Sequence, residues 1–98
     1  MRFVVLGFDG TDSEAPARRA AARPAHLEGI PALLEAGTLK YGGPLFDAEG
    51  NMNGSIMILE YPSEEALCAE FLSKEAYAVG NVWQKIEIHP HKAAPFCE

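Results

Sequence analysis

The sequence has few cysteines, few basic residues and no long apolar run. Its two cysteines, Cys68 and Cys97, lack the spacing of a metal or redox motif, which is typical of free thiols in a reducing compartment. Eight Lys and Arg residues stand against fourteen Asp and Glu, a net charge of −6, which argues against a nucleic-acid surface because phosphate binding requires clustered basic side chains. The apolar residues 2–8 are too short for a signal-peptide core and no segment reaches membrane-spanning length, so we expect a cytoplasmic protein without a membrane partner.

Sequence motifs for cofactors and for nucleophilic serines are also missing. No phosphate loop, dinucleotide fingerprint or nucleophile elbow is present, so we expect no cofactor. His89 and His91 point the same way in an extended segment and can in principle bind a metal. Because only Cys97 or a distant carboxylate remains as a third ligand, we predict no metal site and interpret both histidines as solvent-facing.

The elements that are present predict one domain, residues 1–98, of the α+β class. Apolar or alternating segments indicate four strands, and capping and helical periodicity indicate three helices, the first two separated at Arg23–Pro24. The strands are expected at residues 2–8, 38–45, 55–61 and 82–89, and the helices at 15–22, at 24–35, and from Pro62–Glu65 onward with Ser63 as its cap.

This order of elements is that of a ferredoxin-like β-α-β-β-α-β unit, a four-stranded antiparallel sheet with helices on one face. The other face then needs cover, for which large residues remain, and we expect a homodimer that packs sheet against sheet. The large residues that we assign to this role include Phe3, Val5, Met57, Leu59 and Trp83.

His26 is the leading candidate for acid–base chemistry, because an imidazole titrates near neutral pH and a neighbouring carboxylate fixes its tautomer. It lies at the margin of an apolar stripe that starts at Leu27, and the alternative is a histidine that packs or caps at a helix start. Glu35 shares the helix, but nine residues correspond to about 180° of rotation, so we exclude it as the partner.

Two other carboxylates are candidate partners of His26. Asp9 ends the first strand beside a glycine, where the alternative role is that of a turn former. Glu75 lies at the exit of the last helix together with Tyr77, which we interpret as a substrate contact. The alternatives are a solvated surface charge for Glu75 and a core ring for Tyr77.

Two further features are candidates for substrate binding. Arg23 can hold an anionic group by a bidentate contact, or instead neutralise a nearby acidic side chain. The segment with Gly43 and Pro44 allows close approach to the backbone and can supply amide donors, although a strand bend explains the same residues.

Three segments carry a family resemblance in combination, Arg23-Pro24-Ala25-His26-Leu27, Gly37-Thr38-Leu39 and Gly43-Pro44. The family that the chain resembles is the YciI-like (YCII-related) family, over essentially its whole length. The resemblance implies a dimeric α+β barrel, related to muconolactone-isomerase-like proteins, with an enzymatic site centred on a histidine and an aspartate. One branch of that family looks like a dehydrochlorinase of a chlorinated hydroquinone. This chain departs from the family's Asp-Pro-Tyr segment, where it has Glu75-Ala76-Tyr77.

The residues and the resemblance together predict a small-molecule-binding protein. We expect cofactor-independent lyase, isomerase or dehalogenase chemistry on a small cyclic or aromatic organic anion, performed by a histidine–carboxylate pair. The alternative is a non-catalytic dimer that only binds a small ligand.

Overall fold

The computed structural model describes residues 1–97; Glu98, the last residue of the predicted domain, lies outside the described residues. The strands pair in the order β2-β3-β1-β4, with every neighbouring pair antiparallel. The predicted ferredoxin-like arrangement, with helices on one face of the sheet, is confirmed. The elements are β1 (Arg2–Asp9), α1 (Ala15–Glu35), β2 (Leu39–Phe46), β3 (Met52–Glu60), α2 (Glu64–Leu67) with a π-helical continuation (Cys68–Leu72), α3 (Ala76–Val79), β4 (Trp83–His91) and a 3₁₀ turn (Pro95–Cys97).

Helix α1 is continuous through both of its internal prolines, Pro24 and Pro31, so the predicted break at Arg23–Pro24 is wrong. Each proline removes one backbone hydrogen bond from the helix. The two prolines are seven residues apart and both are exposed, so they lie on the outer side of the helix, where water can solvate the unpaired carbonyl groups. The helix ends as predicted at Gly37, whose φ of 73° is the left-handed conformation that glycine adopts readily.

The buried face of α1 is rotated relative to the predicted apolar stripe. Leu27, where the predicted apolar stripe starts, is 48% exposed, and Leu34, two turns further along the same stripe, is 57% exposed. The residues that turn towards the rest of the molecule recur every three or four positions, and His26 lies in the middle of them rather than at their margin. They are Ala15, Arg19, Ala22, His26, Ile30 and Leu33.

Strand β4 contains an irregularity that changes the side-chain alternation at its start. Asp9 pairs with Trp83 while Phe8 pairs with Lys85, so Gln84 is an extra residue in a bulge. Trp83 therefore lies on the helix side and is 4% exposed, which corrects its predicted placement on the sheet face opposite the helices. The predicted stop at Pro90 is also wrong, because β4 is an edge strand and tolerates a residue without an N–H group.

The core lies between the helices and one face of the sheet. The prediction reserved five large residues for the opposite face, but all of them are buried on the helix side: Phe3, Val5, Met57, Leu59 and Trp83. The opposite face, which we call the open face, carries instead the half-buried residues of alternate parity on the two central strands. These are Val4, Leu6, Phe8, Ile56 and Ile58.

Candidate active site

His26 is hydrogen-bonded to the carboxylate of Glu75. The distance from Nδ1 of His26 to Oε1 of Glu75 is 2.5 Å, and the two side chains are only 13% and 6% exposed. Of the two carboxylates considered from the sequence, Glu75 is thus the one that reaches the imidazole. The other ring nitrogen, Nε2, has no hydrogen-bond partner within residues 1–97.

Glu75 is held in place by the helix that it begins. It is the N-cap residue of α3, and its Oε1 accepts a hydrogen bond from the backbone N–H of Tyr77 at 3.2 Å. The same oxygen therefore contacts a helix N-terminus and the imidazole. In this chain the glutamate, which stands where the family pattern has an aspartate, makes both contacts.

Tyr77 lies between His26 and Arg19. Its ring stacks on the imidazole with a centroid distance of 4.1 Å and an interplanar angle of 15°. The guanidinium carbon of Arg19 is 4.6 Å from the centroid of the same ring. Tyr77 is 2% exposed, and burial is the main reason that its pKa is raised, so the phenol stays protonated at neutral pH. The stack fixes the plane of the imidazole.

Asp9 does not reach His26, contrary to one of the two predicted pairings, but binds the guanidinium of Arg19. Nη1 of Arg19 donates to both carboxylate oxygens, at 3.0 and 3.1 Å, and Nη2 donates to Oγ of Ser55 at 2.9 Å. Trp83 also donates to Ser55 Oγ, from Nε1 at 3.3 Å. Burial raises the pKa of Asp9, and the positive charge of Arg19 opposes that rise.

A cavity of about 210 Å³ opens above this group of side chains, between α1 and the strands β2 and β3. Apolar side chains such as Ile30, Leu39 and Met57 form much of its wall. The predicted site residues that line it are His26, Arg23, Gly43, Pro44 and Tyr77. A second and larger cavity, between the β1–α1 and β2–β3 connections, shares Arg19, Arg23 and Met52 with the first and is also lined by Asp9.

Arg23 is exposed, lines both cavities and makes no ion pair with any residue in the range 1–97. This is the position of a cation available to a ligand. The neighbouring Gly42–Pro44 segment belongs to strand β2 and pairs with β3 along the cavity wall.

Three residues of the site, Arg19, Ser55 and Trp83, are not among the site residues predicted from the sequence. A signal for Arg19 exists, because it precedes His26 by seven residues and therefore lies on the same helix face. The relation holds only in one continuous helix, and the predicted break at Arg23–Pro24 places Arg19 and His26 on separate helices. The sequence feature that relates to Ser55 and Trp83 is Gly7, a glycine inside a strand. A Cβ atom at position 7 would lie within 2.4 Å of the indole ring of Trp83, so only glycine allows this ring to cross β1 towards Ser55.

The part of the chain that the structure describes contains no group of three or more potential metal ligands. Nε2 of His89 is hydrogen-bonded to Oε1 of Glu87 at 3.0 Å, on the open face. No helix in the described range is both long and apolar enough to span a bilayer.

Comparison with known proteins agrees with this architecture. Residues 1–92 match the family model described as the YCII-related domain. Two curated relatives, both named Protein YciI, come from Escherichia coli O6:H1 and Shigella flexneri. Each is 30% identical to this chain over an alignment of 98 positions, which covers 94% of this chain and 97% of the relative.

Two solved structures have a similar fold. The first is the 5-chloro-2-hydroxyhydroquinone dehydrochlorinase of Burkholderia phenoliruptrix in complex with 2,5-dihydroxybenzoquinone, with a TM-score of 0.83, 20% identity and coverage of 98% of both chains. The second is an antibiotic biosynthesis monooxygenase, with a TM-score of 0.57, 17% identity and coverage of 96% of this chain and 98% of that one.

Proposed function

The chain belongs to the YCII-related domain family, and on this premise we propose that it is a small-molecule enzyme in which His26 and Glu75 form an acid–base pair. The single observation that carries the proposal is the hydrogen bond from His26 Nδ1 to Glu75, at the wall of a cavity. The carboxylate fixes the tautomer and stabilises the imidazolium, so Nε2 can accept a proton from the ligand and return it.

The size and lining of the cavity support a small, anionic ligand. Its volume of about 210 Å³ is below the roughly 300–1,000 Å³ of pockets for drug-sized ligands, which favours a single ring. Arg23 supplies a positive charge without a carboxylate partner within residues 1–97, which favours an anion. The similar structure that contains 2,5-dihydroxybenzoquinone supports the same class, a small cyclic or aromatic organic anion.

The proposed chemistry is proton abstraction followed by isomerisation or elimination. His26 takes a proton from carbon or oxygen, and the electron pair left behind forms a double bond. In an isomerisation the proton returns at another position, whereas in a dehalogenation the halide leaves with its bonding pair. Neither route requires an oxidant or a reductant, and the similarity to a dehydrochlorinase supports the second.

The experiment compares wild type, His26→Gln and His26→Ala on chlorinated hydroquinones, hydroxylated aromatics and lactones. NMR in D₂O detects both turnover and exchange of ring protons, so a partial reaction is also seen. We expect both variants to fold, His26→Gln with the smaller loss of stability because its amide can still donate to Glu75, and both to lose about 10²-fold or more in rate. His89→Gln, which changes an exposed histidine away from the cavity, is the control and should keep full activity.

Equal rates in wild type and both His26 variants would refute the acid–base role. If wild type binds such ligands but neither exchanges protons nor releases product, and binding does not depend on His26, the protein is instead the non-catalytic binder considered above.

We further propose that two copies associate through their open faces. Five aliphatic and aromatic side chains of the two central strands remain half-exposed there: Val4, Leu6, Phe8, Ile56 and Ile58. A contiguous apolar sheet face of this kind is typical of an interface, because burial of apolar surface is the main driving force of association.

A further inference from the structure

Ser55 lies at the wall of the cavity, on the helix-side face of strand β3. It pairs with Gly7 of β1 and with Pro44 of β2 and is 4% exposed. It lines the same cavity as His26. Ser55 therefore borders the space that the proposed ligand occupies, although the acid–base proposal assigns it no role.

The hydroxyl group of Ser55 can take part in three hydrogen bonds, because a serine oxygen has two lone pairs and one O–H bond. Arg19 Nη2 and Trp83 Nε1 are groups that only donate, and both donate to Ser55 Oγ, at 2.9 and 3.3 Å. Both lone pairs are thus occupied, and the O–H group has no acceptor among residues 1–97. The remaining direction around the oxygen is the one available to the proton.

A buried donor without an acceptor is unfavourable, so the site favours an occupant that provides one. The donor is also stronger than an ordinary hydroxyl, because the guanidinium of Arg19 withdraws electron density from the oxygen. Asp9 compensates the charge of Arg19, whereas the charge of Arg23 has no such compensation within the described residues. These electrostatics favour a negatively charged acceptor over a neutral one.

We propose that Ser55 donates a hydrogen bond to an anionic oxygen of the ligand, and that ligands of this site carry a phenolate, enolate or carboxylate oxygen next to the atom on which His26 acts. Ser55 is thus a specificity-determining residue, and Arg19 and Trp83 are positioning residues that direct its proton. The inference rests on the proposed function for the location of the ligand and for the atom on which His26 acts, whereas the hydrogen bond from Ser55 does not depend on the reaction.

The test uses 4-nitrophenol, a single-ring probe whose phenolate absorbs at wavelengths where the protein does not. Spectrophotometric titration of the bound probe measures its pKa in the cavity. In wild type we expect this pKa to lie below its value in water. In Ser55→Ala we expect it to rise by about one unit, since a hydrogen bond to a charged group corresponds to about tenfold in phenolate affinity.

The controls separate a donor from a merely structural serine. Loss of packing weakens the binding of phenol and phenolate alike and leaves the pKa of the bound probe unchanged. Ser73→Ala removes a hydroxyl group that donates to Ala69 O outside the cavity and should match wild type. Ser55→Cys, with nearly the same shape and a weak donor, provides the same comparison if Ser55→Ala does not fold.

The proposal is overturned if the pKa of bound 4-nitrophenol is the same in both Ser55 variants as in wild type. It is also overturned if wild type does not bind 4-nitrophenol up to the solubility limit of the probe. The probe does not react, so loss of the His26 role in the turnover assay would leave this result standing. The two proposals therefore fail separately.

Discussion

At the scale of single residues, Glu75 combines two tasks in one oxygen atom. Its Oε1 caps α3 through Tyr77 N and also meets His26. A cap of this kind positions a carboxylate more rigidly than a solvent-exposed side chain, because the backbone of α3 defines where its oxygen lies. The catalytic and the structural contributions of Glu75 can nevertheless be separated by substitution.

Glu75→Gln is predicted to preserve the fold and impair the chemistry. The amide oxygen can still accept from Tyr77 N, so the melting temperature should change by only a few degrees. An amide cannot stabilise an imidazolium as a carboxylate does, so turnover should fall by about 10²-fold. Paired thermal melts and the D₂O assay measure the two effects. Glu70→Gln, a change of the same type outside the cavity, is the control, and a Glu75→Gln enzyme with full activity would contradict the pairing.

At the scale of elements, α1 carries most of the site because it is one helix rather than two. Arg19, Arg23 and His26 are separated by four and three residues, so the uninterrupted helix brings them to one side of the cavity. The prolines are tolerated because both lie on the outer side of α1. They should still reduce its stability.

Pro24→Ala is predicted to raise the free energy of unfolding by about 1–3 kcal/mol, because alanine restores the hydrogen bond to the carbonyl of Ala20 and fits the helix interior. Pro16→Ala is the matched control. Pro16 lies in the first turn of α1, where the proline removes no helical hydrogen bond, and little gain is expected. Urea denaturation measures both variants. A decrease for Pro24→Ala, or equal gains for the two variants, would contradict this account.

The start of α1 is predicted to contribute stability that depends on pH. A hydrogen bond from Arg18 lowers the pKa of Asp12 from 3.8 to about 2. A carboxylate whose pKa is lower in the folded state stabilises the protein above the unfolded pKa, and this contribution is lost as the pH falls from about 4 to 2. Urea midpoints between these pH values should therefore fall less steeply in Asp12→Asn than in wild type. Parallel curves would show that the pair contributes nothing.

At the scale of the whole molecule, one face of the sheet is covered by helices and the other is the open face. The open face is the surface through which we propose that two copies associate. Ile56 lies on strand β3 and pairs directly with Leu6 of β1, at the centre of the apolar residues.

Ile56→Glu is predicted to convert a dimeric wild type into a monomer, because a carboxylate at the centre of an apolar interface has to be desolvated without a partner. Light scattering coupled to size-exclusion chromatography at micromolar concentration measures the mass. Ala32→Glu adds the same charge on the exposed side of α1 and should stay dimeric. A monomeric wild type would refute the interface.

The limits of sequence-based prediction follow from the range over which each signal acts. Strand alternation, the Gly37 stop and the Ser63 cap are local patterns, and the elements that they predict are present in the structure. The break in α1 was predicted wrongly because the effect of a proline depends on whether its side of the helix faces water. The predicted face of Trp83 was wrong because the extra residue Gln84 interrupts the side-chain alternation of β4. Trp83, which precedes Gln84, therefore lies on the opposite face from the one that strict alternation predicts.

The sequence by itself determined the order of elements, the ferredoxin-like class and His26 as the candidate acid–base residue, because periodicity, capping and side-chain chemistry are carried by neighbouring residues. It left two carboxylates for the imidazole. Only the tertiary structure decided between them, by packing α1 against α3 so that Glu75, forty-nine residues further along the chain, lies 2.5 Å from His26. Long-range packing also brought Asp9 and Ser55 within hydrogen-bond distance of the guanidinium of Arg19, which no local pattern encodes.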